Sequence, residues 1–300
     1  MNEFYVAESS SCDGSGDLRF LLGHFGPQAG RYLADYPSTW VEDVRKHCDS
    51  LGPLEGERIK VILRRAREKA ALLRNSALPW DNQADWIENV RNVLRQRPGA
   101  FAQAIASRSR QAEGMPTIDD LDLSPTADES IPTTASEYVR VSKTLLLVSP
   151  ELIFVDPYLN PCKTDRRDVL TPMFATAAIG KCQRISCWAR ASEVIGERRH
   201  TWDEVVGALD SILEAAGWPK DRTFRYLLVD DQLSKFKMHP RYMFSIKGGI
   251  RYDQGFQRLS KDRRNEVSPV GASLHDELLK TYHEGGHDMV IEHEYQHRID

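Results

Sequence analysis

The sequence contains no run of eighteen or more apolar residues, so it offers no candidate for a membrane-spanning helix. It is also poor in cysteine, with 5 in 300 residues. Cys12, Cys48, Cys162, Cys182 and Cys187 are odd in number and form no Cys-x-x-Cys pair. That argues against a disulfide framework and against structural zinc, and no metal or other cofactor is expected. The opening stretch MNEFYVAESSSCDGSG is acidic and polar, without the basic start and apolar core of a secretory signal, so a reducing cytoplasm is the expected setting. A large charge of one sign is missing too. The formal net charge of −4 excludes a chain built throughout to bind polyanions, while leaving room for local asymmetry.

What is present is the composition of a globular protein, 41% hydrophobic and 28% charged, with enough length for two domains of ordinary size. Residues 1–110 read as consecutive helices. Leu18, Leu21, Leu22 and Phe25 form an apolar stripe ended by Gly26-Pro27. Thr39 and Glu42 have capping-box spacing ahead of Trp40, Val41 and Val44. The stretch from Glu57 to Asn75 sets Ile59, Ile62, Leu63, Ala66, Ala70 and Leu73 on one face, and Trp86 to Leu94 repeats the pattern before Pro98-Gly99. A small helical domain is expected. Residues 111–135 collect Pro116, Pro125, Pro132 and six acids, among them Asp119, Asp120, Asp122, Asp128 and Glu129, without Lys or Arg, the composition of an acidic linker.

From residue 136 to 300 the pattern alternates between helix and strand. Thr134 and Glu137 precede a helix through Tyr138, Val141, Leu145 and Val148. Apolar runs at 151–155, 184–188, 224–229, 241–246 and 249–252 predict strands. Helices are predicted through Val169–Ala177, from the Thr201/Glu204 capping box to Leu213, and over 273–282. The expected fold class is α/β (α+β), with helices on both faces of a sheet.

Three features fall in order in this half. They are the strand end Ile153-Phe-Val-Asp-Pro-Tyr158, a helix-rich middle, and His239-Pro-Arg-Tyr-Met-Phe-Ser-Ile-Lys-Gly-Gly-Ile-Arg-Tyr252. Over roughly residues 136–270 the chain resembles the phospholipase D-like domain at the C-terminus of MIT-domain proteins. Catalytic members of that superfamily carry two His-x-Lys-x4-Asp motifs, one histidine attacking phosphorus and the other protonating the leaving group. Here Arg241 stands in the lysine position, Ile246 in the aspartate position, and no second copy follows. The resemblance therefore implies a non-catalytic domain that binds phosphate groups or dimerises, with His239, Arg241, Lys247 and Arg251 as the phosphate site. His239 would be catalytic only in an active phosphodiesterase or nuclease assembled as a dimer. His239-Pro-Arg241 also reads simply as the start of an edge strand, with Gly248-Gly249 as a hairpin.

Two further constellations compete. Arg58, Lys60, Arg64, Arg65, Arg67 and Lys69 share a helix, and from Arg58 to Arg110 there are 12 Lys and Arg against 4 Asp and Glu. Such a stripe suits a nucleic-acid backbone, though charged helix faces are usually just solvated. His293-Glu-Tyr-Gln-His297 has the form of a zinc-protease motif. A downstream third ligand has almost no room there, His283 or His287 would have to serve from upstream, and a strand would spoil the spacing. The combined expectation is a two-domain accessory protein, similar to those of bacterial defence or mobile-element systems. Its expected partners are nucleic acid or another phosphate-bearing ligand, a protein bound through the helical domain, and a second copy of itself.

Overall fold

The computed structural model describes residues 3–74, 78–122, 128–197, 199–235, 237–238, 240–260, 262–283 and 288–297. The chain divides into two compact units, residues 2–126 and 127–300.

The first unit is built on a sheet, which corrects the helical domain expected for residues 1–110. Strands β1 (Glu3–Ala7), β2 (Arg31–Asp35), β3 (Leu72–Arg74) and β4 (Gln103–Ile105) lie in the order β3-β2-β1-β4, with every pairing parallel. The strands are three to five residues long, and every residue of β2 is buried. Strands covered on both faces carry no apolar-polar alternation, so strongly amphipathic helices on either side mask them in the sequence. Those helices form: α1 (Ser15–Gly23), α2 (Trp40–Asp49), α3 (Pro53–Glu68) and α4 (Trp86–Gln96). The first three bury Leu18, Leu21, Val44, Ile59 and Leu63 with Tyr5, Ala7 and Leu33. Helix α4 buries Trp86, Ile87, Val90 and Val93 with Val6, Ala34 and Tyr36 in a separate cluster.

Local capping signals are realised unevenly. Asp85 caps α4, its carboxylate accepting from Glu88 N at 2.7 Å. The Thr39/Glu42 box does not form; the Thr39 hydroxyl donates to Asp43 instead, at 2.7 Å. The helix expected to Asn75 stops at Glu68, because Ala70 turns left-handed at φ 54° and Ala71 N closes on Ala66 O at 2.8 Å. The chain then enters β3.

The expected linker 111–135 is also corrected where it is described. Ile118 is buried in the first core, and Thr117 and Asp120 form a capping box around a single tight turn. Residues Glu129–Pro132 are β5, paired antiparallel with a strand more than a hundred residues later. Composition cannot foresee order supplied by such a distant partner.

The second unit continues with α5 (Ala135–Val148), β6 (Glu151–Val155), α6 (Thr164–Ile179), β7 (Arg184–Arg190), α7 (Ala191–Val194), α8 (Trp202–Ala215) and β8 (Thr223–Asp230). Then follow β9 (Tyr242–Ser245), β10 (Gly248–Tyr252), β11 (Arg264–Pro269), α9 (Ala272–Leu278) and β12 (Val290–His297). They form an eight-stranded sheet in the order β12-β8-β7-β6-β9-β10-β11-β5. Strands β6, β7 and β8 are parallel to one another; every other neighbour pair is antiparallel. The fold class is thus α/β, as the alternation of elements indicated. The Thr201/Glu204 box forms, with Thr201 N bonded to Glu204 Oε2 at 2.8 Å and Glu204 N to Thr201 Oγ1 at 3.3 Å. Among the described residues, no helix is long and apolar enough to cross a membrane.

Candidate functional site

Parallel strands bring their carboxyl ends to one edge of a sheet, and loops leaving that edge can converge. Here Val155 pairs with both Trp188 and Tyr242, and Arg190 with Val229. The residues just after β6, at the ends of β7 and β8, and just before β9 therefore share that edge.

Asp156 follows β6, where Pro157 ends the strand. Its carboxylate accepts from Tyr158 N at 2.9 Å, an Asx turn, and from Phe256 N at 3.1 Å. The residue is 1% exposed. Burial pushes its carboxyl above the usual range, opposed by those two amides and by the nearby Arg166 and Arg241 guanidiniums. Arg241 Nε lies 3.9 Å from Asp156 Oδ1, and its Nη1 donates to Asp253 O at 2.6 Å. That guanidinium stands 5.3 Å from the centre of the Tyr158 ring.

A second guanidinium, from Arg190, stands 5.9 Å from the same ring. Its Nη2 reaches Asp231 Oδ2 at 3.0 Å and Met238 O at 2.6 Å, while Met238 N donates to Asp231 Oδ1 at 2.7 Å. Its Nε is buried and, among the described residues, has no hydrogen-bond partner. A buried donor left without an acceptor costs about 1–3 kcal/mol. Two guanidiniums beside one phenol, one of them with an unused donor, suit an oxyanion that accepts from both.

The sequence candidates separate. Arg241 belongs to this edge. His239 lies outside the described residues, between Met238 and Arg241. Arg251, on β10, pairs in register with Tyr242 and sits 4.0 Å from Asp253, beside the site and exposed. Lys247 does not join them. Ser245 pairs with Gly248 at the hairpin tip, so Lys247 lies at the opposite end of β9 from Arg241, about 15 Å or more along the strand. Ile246, at the same tip, is exposed. A separation of six residues says nothing about ends until the hairpin register is known. Arg190 and Asp231 were missed; their one signal was position, each closing or following an apolar strand.

The basic stripe is real as a helix face and largely neutralised. Arg58, Lys60, Arg64, Arg65 and Arg67 are exposed on α3, and Lys69 is at its C-cap. Arg58 pairs with Glu55 at 3.4 Å, Lys60 with Glu57 at 2.7 Å, Arg64 with Glu68 at 3.8 Å and Arg67 with Asp35 at 2.9 Å. Arg108 and Arg110 lie after β4 instead. Arg108 binds Asp17 at 2.6 Å and both Asp13 and Asp119 at 2.7 Å; Arg110 binds Glu8 at 3.1 Å.

His293 and His297 lie on β12, so the helical spacing of the zinc motif is lost. The His293 ring stacks on Trp202 at 4.9 Å, and His283 meets Glu151 at 3.1 Å. His287 and Arg298 to Asp300 lie outside the described residues. No group of three metal-ligating side chains occurs among the described ones.

No family model and no curated protein matches this chain. One solved structure, described as TrmBL2, an archaeal chromatin protein with a novel mode of DNA binding, is 10% identical over 82% of this chain and 86% of that one. Its TM-score is 0.29, and a likeness that slight bears on neither fold nor ligand.

Proposed function

We propose that the second unit binds phosphate groups without cleaving them, through Arg190 and Arg241 at the carboxyl edge of its sheet, with a nucleic-acid strand as the ligand. The observation that carries this reading is the pair of guanidiniums, Arg190 and Arg241, on the Tyr158 ring, with the buried Arg190 Nε lacking a hydrogen-bond partner among the described residues. Arginine is always charged and forks onto phosphate oxygens, so such a pair grips a phosphodiester without a proton transfer. Cleavage would need a second histidine to protonate the leaving group, and the sequence holds one copy of the motif. A dimeric nuclease using His239 is the alternative.

Purified full-length chain mixed with a labelled single-stranded oligonucleotide tests both. Retarded migration that weakens steeply with salt, with the strand left whole, supports the binder. Strand scission abolished by His239→Ala would replace it with the nuclease. No retardation at low salt would end the reading.

A further inference from the structure

The two edges of the eight-stranded sheet are built differently. One edge is β5, four residues long and closed by Pro132, which has no amide to offer a further strand. Short length and proline are the ordinary protections of a sheet edge. The other edge is β12, eight residues long, without Lys or Pro. Its irregularity falls between Ile291 and His293, which leaves His293–His297 as a regular run paired with β8 on one side only. Along that run, His293 stacks on Trp202, Tyr295 bonds to Asp210, and Glu294 binds Arg225 at 2.8 Å. These contacts brace the strand from its own unit and, among the described residues, leave its outer row of backbone donors and acceptors unpaired by any strand.

We propose that β12 is the interface between two copies of this chain, paired antiparallel about Tyr295 so that two eight-stranded sheets become one. The register follows from symmetry. A two-fold axis relating neighbouring antiparallel strands stands perpendicular to the sheet, so facing residues must be of equal parity. A centre at His293 sets Glu292 against Glu294 of the second copy, and a centre at Glu294 sets that carboxylate against itself. Like charges directly opposite are destabilising. The centre at Tyr295 keeps all of His293–His297 in register. It faces Tyr295 with Tyr295, Glu294 with Gln296, and His293 with His297, and sets no carboxylate against another. This interface is independent of the anion site on the same unit.

Gln296 gives the test its sign. Within the chain it is in register with Arg225, so Gln296→Glu adds a favourable neighbour and leaves the fold intact. Across the interface it sets one carboxylate against Glu294 of the second copy, twice per dimer. Sedimentation equilibrium of the full chain should give about twice the 34.1 kDa of one copy, and Gln296→Glu should raise the dimer Kd on the order of tenfold. Gln296→Lys, opposite Glu294 of the second copy, should not weaken it. Tyr295→Cys should cross-link the two copies on mild oxidation, and Glu292→Cys should not. A single-chain mass at every concentration reached overturns the proposal. So does a dimer indifferent to Gln296→Glu, or one cross-linked equally through position 292.

Discussion

Gly255 and Asp156, 99 residues apart, are packed so closely that a side chain at the first would overlap the second. A Cβ on Gly255 would collide with Asp156 Oδ2 and stand 3.0 Å from its Cγ and 3.3 Å from Arg241 Cδ. The backbone there is left-handed, at φ 69°. Gly255 O is held by Tyr138 Oη at 2.8 Å and Asn265 Nδ2 at 3.0 Å, so the turn cannot back away. The turn after β10 is thereby seated on Asp156, and its Asp253 carbonyl holds Arg241. The placement of Arg241, the arginine proposed to grip phosphate, thus depends on a missing methyl group.

Gly255→Ala should accordingly destabilise the second unit by about 2 kcal/mol or more, from strain and overlap together. Urea denaturation measures it, and the same variant should bind oligonucleotide more weakly because Arg241 loses its seat. A loss below about 0.5 kcal/mol would show that the close approach is not obligatory.

Arg241 and Lys247 lie at opposite ends of β9, and binding should tell them apart. Arg190→Ala or Arg241→Ala should each weaken oligonucleotide binding on the order of tenfold or more, the scale of one charge-assisted contact. Lys247→Ala should stay within about twofold, as expected of a cation outside the site. Equal losses at 241 and 247 in a salt-dependent gel-shift titration would mean diffuse electrostatic capture rather than a built site.

The raised carboxyl of Asp156 has a pH signature with a definite sign. Folding binds its proton more tightly than the unfolded chain does, so the stability it contributes is fully present below the ordinary value of 3.8. That contribution is lost as pH rises through the elevated folded value. Relative to Asp156→Asn, the wild-type chain should lose urea resistance as pH rises above the ordinary carboxylate range. A difference that grows with pH would mean that the amides and guanidiniums around Asp156 outweigh its burial.

Ala70 occupies the left-handed position after α3, where glycine is the usual residue. An L residue there costs roughly 1 kcal/mol. Ala70→Gly should therefore raise stability by up to about that amount, seen as a higher urea midpoint. A drop would indicate that burial of its methyl matters more than the backbone strain.

By itself the sequence determined most elements of the second unit, though not β5, β11 or α7, and one residue of its candidate site. The apolar runs at 151–155 and 224–229, the Thr201/Glu204 box and the glycine hairpin after β9 are local signals, and local propensity carries them. Arg241 was legible for the same reason, standing beside a recognisable motif. Only the tertiary structure decided the rest. The strands of the first unit stayed hidden because Leu33 and Ala34 are buried on opposite faces of one sheet, which erases the alternation that marks a strand. Arg190 and Asp231 joined the candidate site, and Lys247 left it, through strand order and hairpin register. Those depend on pairings between residues dozens of positions apart, and no local pattern of residue types encodes them.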